Sequence, residues 1–244
     1  MQHPRTPDPI FADERLAPLY DAFEGDRADL LPYLAIVHEL GARTLIDIGC
    51  GTGEFALLAA AEGYAVQGID PARASLNVAN SKPGSALVRW HEGTVETAPA
   101  SRSDLAVMTG NVAQVFLEDE VWLRTLAAIR ERLRDGGHLV FEARRPSARA
   151  WESWAEPHEE SRAFPSLGLV RHCRELLEVD LPLVRFRHSY AFPDGSLINS
   201  DSTLRFRSEG EHREALNRSG FEVVAVREAP DRPGKEFVFL ATAV

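Results

Sequence analysis

The sequence has little cysteine and no long apolar run, and each shortage argues against a class of protein. It has two cysteines, Cys50 and Cys173, in 244 residues, too few for a small secreted fold held by disulfides. No apolar run reaches the roughly 20 residues of a membrane span. The opening residues, MQHPRTPDPIF, lack the apolar segment of a signal peptide. We therefore expect a cytoplasmic protein with no disulfide and no membrane partner.

Positive charge is also scarce. The chain carries 27 lysines and arginines against 37 aspartates and glutamates, for a formal net charge of −10. Nucleic acids are bound largely through patches of lysine and arginine, so we expect no nucleic-acid partner. The eight histidines are scattered, and no pair has the spacing of metal ligands, so we predict no metal site. What the chain does have is a hydrophobic content of 44%, enough to bury a core.

Short apolar strands alternate with helical segments through the first 146 residues. Residues 1–9 hold three prolines and are not expected to fold by themselves, whereas 11–40 have a helical pattern that ends at Gly41. We predict strands at 43–49, 65–70, 86–93, 104–110 and 138–144, and helices at 54–63, 71–82 and 119–134. Such alternation is typical of a parallel sheet covered by helices on both faces.

The pattern changes after Pro146. Residues 147–166 are predicted to be helix or loop, and 168–207 to be antiparallel strands with a turn at 193–195. A helix at 209–219 and two further strands then resume the first pattern. We therefore predict three parts: an N-terminal helical cap at 1–40, an α/β domain at 41–146 and 209–244, and an inserted sub-domain at 147–208.

The segment LIDIGCGTGEF, residues 45–55, joins the first strand to a helix through Gly49, Gly51 and Gly53, after an acid at Asp47. Glycines there let a ligand approach the backbone and the unpaired N–H groups of the helix. The nicotinamide fingerprint needs a third glycine where this chain has Glu54, a charge that would repel a pyrophosphate. The spacing therefore argues against a dinucleotide.

The motif D-x-G-x-G-x-G after an apolar strand, followed by Asp70 at the end of the second strand, resembles the class I S-adenosylmethionine-dependent methyltransferases of small-molecule type. The resemblance implies an α/β fold with a seven-stranded Rossmann-like sheet, mostly parallel with the last strand antiparallel. It also implies an antiparallel β insertion before the final helix, which would serve as a substrate lid.

By the same resemblance the cofactor is S-adenosylmethionine and the product S-adenosylhomocysteine. Asp70 is expected to hold the ribose hydroxyls, the turn after the third strand to meet the adenine, the segment after the fourth strand to pass the methionine tail, and the N-terminal helix to cover the cofactor. The candidate cofactor-binding residues are Asp47, Gly49, Cys50, Gly51, Gly53, Asp70, Pro71, Thr94, Val95, Thr109, Gly110, Asn111, Tyr20 and Arg27.

The catalytic residues are not determined by this pattern, because the methyl donor already carries its leaving group. His188 and Tyr190 are candidates, and they could either line a substrate pocket or pack against the sheet. We predict methyl transfer to a small-molecule acceptor through an oxygen, nitrogen or carbon. The alternatives are a protein that binds S-adenosylmethionine or its product without transferring a methyl, and a nicotinamide oxidoreductase. The acceptor and the oligomeric state are not predicted.

Overall fold

The N-terminal region folds as three short helices rather than as one helical stretch. The computed structural model describes residues 6–244, so expectations for residues 1–5, including part of the proline-rich segment and of the cap, lie outside the described residues. The helices are α1 (Pro9–Ala12), α2 (Ala17–Glu24) and α3 (Leu31–Glu39), with a 3₁₀ turn at Ala28–Leu30. Each helix has a proline at its first or second position. Proline is accepted in the first turn of a helix but breaks its interior, so these prolines divide the region into separate helices.

Five strands and three helices follow in the predicted order. The strands are β1 (Thr44–Ile48), β2 (Ala65–Asp70), β3 (Val88–Glu92), β4 (Ser103–Met108) and β5 (Leu133–Arg144), and the helices are α4 (Glu54–Ala61), α5 (Arg73–Ser81) and α6 (Asp119–Arg132). Two boundaries differ from the prediction. Pro71 precedes α5 instead of forming its first turn, since the Asp70 side chain accepts the Ala72 amide at 2.8 Å. Residues 135–137 lie inside β5, where β4 shifts register against it, rather than closing a helix.

The insertion contains four strands, and the first of them lies in the stretch that was predicted to be helix or loop. After a short helix, α7 (Trp151–Trp154), come β6 (His158–Phe164), β7 (Gly168–Asp180), β8 (Leu183–Ala191) and β9 (Leu197–Arg205). They form a four-stranded antiparallel sheet in that order. The expectation of helix or loop at 147–166 was wrong for β6, whose sequence HEESRAF has little apolar character. This edge strand exists through its pairing with β7, which is a non-local interaction.

The main sheet closes with α8 (Glu209–Arg218), β10 (Phe221–Arg227) and β11 (Glu236–Ala243). Its seven strands run in the order β10-β11-β5-β4-β1-β2-β3. Because β11 is antiparallel to both neighbours and the other pairs are parallel, it alone is reversed. The predicted seven-stranded sheet with an antiparallel last strand is confirmed.

The N-terminal helices pack on the four-stranded sheet as well as on the main sheet. Ile10, Leu16 and Leu19 form a buried cluster with Val170 and Tyr190 of β7 and β8, while α3 packs in the core of the main sheet. These helices therefore lie where the two sheets meet. Among residues 6–244, no helix has both the length and the apolar character needed to span a bilayer.

Candidate cofactor and active site

A cavity of about 800 Å³ opens at the carboxyl edge of the main sheet, where β1, β2, β3 and β4 end. Ligands bind at this edge in open α/β sheets. The cavity is lined by the loops that follow these strands and, from above, by the N-terminal helices. Eleven of the candidate cofactor residues line it: Gly49, Cys50, Gly51, Asp70, Pro71, Thr94, Val95, Thr109, Gly110, Tyr20 and Arg27.

The three glycines of the loop after β1 all have left-handed backbone, with φ of +70°, +54° and +84°. At Gly49 a Cβ would come within 2.7 Å of Val112, and at Gly53 within 2.6 Å of Trp90. At Gly51 a Cβ would meet nothing within 4 Å, because this residue faces the cavity. The outer glycines allow tight packing, and the middle one leaves the backbone bare toward a ligand.

Asp70 holds the same loop from the end of β2. Its Oδ2 accepts the Gly51 amide at 2.8 Å, and its Oδ1 accepts the Ala72 amide at 2.8 Å. The side chain lines the cavity although only 7% of the residue is exposed, and burial raises the pKa of its carboxyl group. A carboxylate has about four acceptor positions, so Asp70 keeps room for two ligand hydroxyls.

Asp47 is buried behind the loop, with 1% exposure, and is not among the residues that line the cavity. Neither carboxylate oxygen has a hydrogen-bond partner of normal geometry among residues 6–244. Burial, reinforced by the nearby Asp70 carboxylate, raises the pKa of Asp47 to about 7. A cation held in the cavity would favour the ionised form of this acid.

Two other candidates, Gly53 and Asn111, also lie outside the described cavity lining. Asn111 has φ of +62°, and its backbone N–H donates to Glu142 at 3.1 Å while its Nδ2 donates to Glu236 at 3.1 Å. Both glutamates are 1% exposed, and Arg232 lies between them, 3.0 Å from Glu236 and 3.6 Å from Glu142. Asn111 therefore holds the loop after β4 in place through the buried polar cluster of Glu142, Glu236 and Arg232.

Lys82 joins three elements beside the glycine loop. Its Nζ lies 2.5 Å from Asp21 of α2 and 2.5 Å from Glu54, the first residue of α4. Asp21 also accepts a hydrogen bond from the Thr52 hydroxyl in the loop. We call this set of four residues the Lys82 bridge. In this bridge the charge of Glu54 is balanced by Lys82, and the N-terminal helices are attached to the cofactor loop.

Tyr20 and Arg27 enter the cavity from the N-terminal side. Burial, and next the charge of Glu24, raise the pKa of the Tyr20 phenol above its usual range, so this tyrosine stays neutral. Arg27 donates from Nε and Nη2 to the two oxygens of Asp29, at 3.0 and 3.2 Å. Its guanidinium thus faces the cavity while already paired with a carboxylate.

His188 and Tyr190 lie in β8 and are not among the described residues that line the cavity. Tyr190 is 2% exposed, stacks on His172 with ring centroids 4.8 Å apart, and meets the edge of Phe23 at 5.7 Å. Burial, and next the neighbouring His172, lower the pKa of His188 to about 3. His188 is therefore neutral and weakly basic at neutral pH, and Tyr190 packs between α2 and the four-stranded sheet.

The comparison with known proteins decides the family. A family described as "Methyltransferase domain" matches residues 23–226. This chain belongs to that methyltransferase family. The resemblance to class I S-adenosylmethionine-dependent enzymes, inferred from the glycine loop, is confirmed, and S-adenosylmethionine is the cofactor that the family implies.

The chain is similar to methyltransferases from several bacteria. The cypemycin N-terminal methyltransferase of Streptomyces sp. is 28% identical over 144 residues, covering 57% of this chain and 59% of that one. The sugar N-methyltransferase KedS8 of Streptoalloteichus sp. shares the fold with a TM-score of 0.79 and 18% identity, over 100% and 97% of the two chains. The amino pentose methyltransferase CalS10 of Micromonospora echinaspora, solved with bound S-adenosylmethionine, gives 0.66 and 21%, over 88% and 90%. The chain spans about half the length of the curated relatives it matches.

The residues of this methyltransferase fit its cofactor. Gly51 and Gly110 both have positive φ and open space where a Cβ would stand, so a ligand can lie against bare backbone on two sides of the cavity. Asp70 offers acceptors for adjacent hydroxyls. Asp47 is a buried acid without a partner of good geometry, directly behind the glycine loop, and a buried carboxylate of this kind suits a cationic group of a ligand.

Several lining residues were not expected from the sequence. They are Phe11, Thr52, Glu54, Val121, Arg124 and Thr125. Phe11 belongs to α1, which lies far from the loop along the chain, and no local signal places it there. Val115 and Phe116 also line the cavity, and they belong to the segment after the fourth strand that the resemblance places beside the methionine tail.

Proposed function

We propose that this protein transfers a methyl group from S-adenosylmethionine to a small-molecule acceptor. The observation that carries the proposal is the bare backbone at Gly51 held by the Asp70 carboxylate inside the cavity. A backbone exposed in this way suits a ligand tail without phosphate. The carboxylates of Asp47 and Asp70 suit the ammonium and the ribose of this ligand. They would not suit a pyrophosphate, because negative charges repel one another.

Each part of the cavity has a proposed role toward the cofactor. Asp70 accepts both ribose hydroxyls, and the turn at Thr94 and Val95 borders the adenine. The loop at Gly49 to Gly51 and the turn at Thr109 and Gly110 flank the amino-acid tail, whose ammonium favours ionised Asp47. When bound, the cofactor supplies a methyl group on a sulfonium leaving group, so the protein has mainly to align an acceptor atom with it.

The volume of the cavity and the net charge of the chain both support a small-molecule acceptor. The cavity volume of about 800 Å³ lies within the usual range of small-molecule sites, roughly 300–1,000 Å³. The net charge of −10 disfavours polyanionic acceptors. Three similar proteins carry names that mention sugar N-methylation, an amino pentose and the N-terminus of cypemycin. Amines are therefore the first acceptors to screen.

The test is calorimetric titration of S-adenosylhomocysteine into the wild type and into Asp70→Asn. We expect saturable binding to the wild type and an affinity at least roughly tenfold lower in the variant, because one amide oxygen cannot replace two charged acceptors (about 1.4 kcal/mol). Asp180→Asn, at the exposed end of β7, is the matched control and should bind like wild type. NAD is the control ligand.

Acceptor turnover is measured separately with radiolabelled S-adenosylmethionine and an amine library. Binding with turnover supports the proposed function. Binding without turnover on any acceptor class would favour the alternative of a cofactor-binding protein that lacks transferase activity. Folded wild-type protein that binds NAD but not S-adenosylhomocysteine would contradict both.

A further inference from the structure

Three metal-ligating side chains meet on one face of the four-stranded sheet, apart from the cofactor cavity. His158 and Glu160 are two residues apart on the edge strand β6, so they point to the same face, and His172 stands opposite Glu160 on β7. One ligand atom from each lies within 4.8 Å of the other two. His172 is 5% exposed, whereas His158 is open to solvent, so the cluster can be reached from outside.

The spacing of these atoms suits a tetrahedral metal site. Glu160 Oε1 lies 3.3 Å from His172 Nδ1 and 3.5 Å from His158 Nε2. With metal–ligand bonds of about 2.0–2.1 Å, neighbouring ligand atoms in a tetrahedron are about 3.3 Å apart. Two of the three distances between ligand atoms are thus already close to this value. The third can close by rotation of the exposed His158 side chain.

The surroundings of His172 support its role as a ligand. Its imidazole is largely buried, and its Nδ1 faces Glu160 Oε1. Its other nitrogen, Nε2, lies 2.7 Å from His188 Nδ1. A metal on Nδ1 would leave the proton on Nε2, which would then donate to His188, and such an outer hydrogen bond fixes the tautomer of a histidine ligand.

The two oxygens of the Glu160 carboxylate also have different partners. Glu160 Oε2 pairs with Arg162 at 3.4 Å, while Oε1 faces the two histidines. The arginine therefore orients the carboxylate without taking the oxygen that points to the cluster. Sequence spacing did not reveal the site, since one ligand comes from a different strand from the other two and the strand pairing that joins them was not expected.

We propose that His158 Nε2, Glu160 Oε1 and His172 Nδ1 bind one divalent cation of the zinc type, with a fourth position open to water. Two imidazoles and one carboxylate form a donor set that zinc accepts. The ion would join the edge strand β6 to β7. The site is independent of the cofactor cavity, because none of the three residues is among those that line it.

The test uses the full-length protein, stripped of metal by a chelator and titrated with Zn²⁺ and then with Co²⁺. We expect one equivalent of Zn²⁺ per chain and, with Co²⁺, the intense visible absorption of a tetrahedral complex. His172→Asn and Glu160→Gln should each weaken Zn²⁺ binding at least about tenfold. The matched controls are Glu159→Gln, the next residue along β6, and the exposed His38→Gln; both should bind Zn²⁺ like wild type.

Binding of S-adenosylhomocysteine by each variant reports whether it is folded. Loss of Zn²⁺ in a variant that retains this binding supports the site. The proposal is overturned if the wild type takes up no stoichiometric Zn²⁺, if Co²⁺ gives only an octahedral spectrum, or if the ligand variants and the controls bind alike. In those cases Glu160 is only an ion-pair partner of the two histidines.

Discussion

At the residue scale, left-handed glycines serve two different needs in this protein. Gly51 in the cofactor loop and Gly41 after α3 have φ of +54° and +64°, and in both a Cβ would meet nothing within 4 Å. They differ in surroundings, since Gly51 lines the cavity and Gly41 is exposed to solvent. An alanine at either position meets the same backbone strain, but only one of them places a methyl group in the ligand's space.

Alanine substitutions at these two glycines distinguish the effect of backbone strain from the effect of ligand contact. We expect Gly51→Ala and Gly41→Ala each to lower the free energy of unfolding by roughly 1–2 kcal/mol, the cost of a left-handed residue with a Cβ. Only Gly51→Ala should also lose S-adenosylhomocysteine affinity, by at least about tenfold. Chemical denaturation and calorimetry measure the two effects. Equal affinities in both variants would mean that the ligand does not lie against Gly51.

Asp47 should make the ligand-free protein less stable as the pH rises. Its pKa is about 7 in the folded protein, against an ordinary value of 3.8 for an aspartate. A folded pKa that is raised means that the native state holds the proton more tightly, so this stabilisation is complete at acid pH and is lost as the pH passes through 7. Asp47→Asn mimics the protonated acid. Relative to wild type, it should gain about 3 kcal/mol in unfolding free energy between pH 5 and pH 8.

The measurement is urea denaturation at the two pH values without ligand. Asp180→Asn serves as the control, because it makes the same substitution at an exposed position at the end of β7. If Asp47→Asn and wild type respond equally to pH, the acid is ionised throughout, and its burial is compensated by a partner such as the Ala56 amide.

At the element scale, the Lys82 bridge attaches α2 to the loop that carries the cofactor site. Only two lysines exist in the chain, Lys82 and Lys235, and they form a natural pair for comparison. Lys82 is largely buried between two acids, whereas Lys235 is exposed in the turn before β11. Removing the first charge leaves Asp21 and Glu54 unpaired beside one another, which is more costly than losing the bridge itself.

We therefore expect Lys82→Met to lower the free energy of unfolding by about 1–3 kcal/mol and to weaken S-adenosylhomocysteine binding, since α2 would no longer be held over the cavity. Lys235→Met should change neither property. Thermal unfolding and calorimetry give both quantities on the same samples. A loss of stability without any loss of affinity would show that the bridge supports the fold but not the position of the cap.

The elements that could be predicted from the sequence are those with local signals. β1, β2 and α4 lie between clear breakers, and the glycine loop and Asp70 follow directly from that pattern. β6 could not be predicted, because its polar sequence becomes a strand only beside β7. The cavity lining from α1 could not be predicted either, since Phe11 reaches the cavity through tertiary packing. Asn111 shows the same limit, because the glutamates that turn it away from the cavity come from β5 and β11.

At the scale of the whole molecule, the N-terminal helices connect the cofactor cavity to the four-stranded sheet. Tyr20 of α2 lines the cavity. Phe23, about one turn further along the same face of α2, has its ring 5.1 Å from His172 and 5.7 Å from Tyr190. A ligand that orders α2 through Tyr20 should therefore also restrict the sheet that packs on Phe23, although the sheet itself contributes no described residue to the cavity.

Hydrogen exchange can test this connection. We expect S-adenosylhomocysteine to slow amide exchange in β7 and β8 of the wild type, because the opening of that sheet would require α2 to move. Phe23→Ala should keep most of the ligand affinity but lose this remote protection. Phe186→Ala is the matched control: it removes a ring of the same sheet that packs on Trp154 rather than on α2, so the protection should persist.

The strands β10 and β11 provide an internal reference, because they lie at the far edge of the main sheet from β3 and should respond little to the ligand in either variant. Protection of β7 and β8 that survives in Phe23→Ala would mean that the two sheets communicate by another route. Absence of protection in the wild type would mean that the four-stranded sheet does not respond to the ligand, and that it is not a lid that closes over the site.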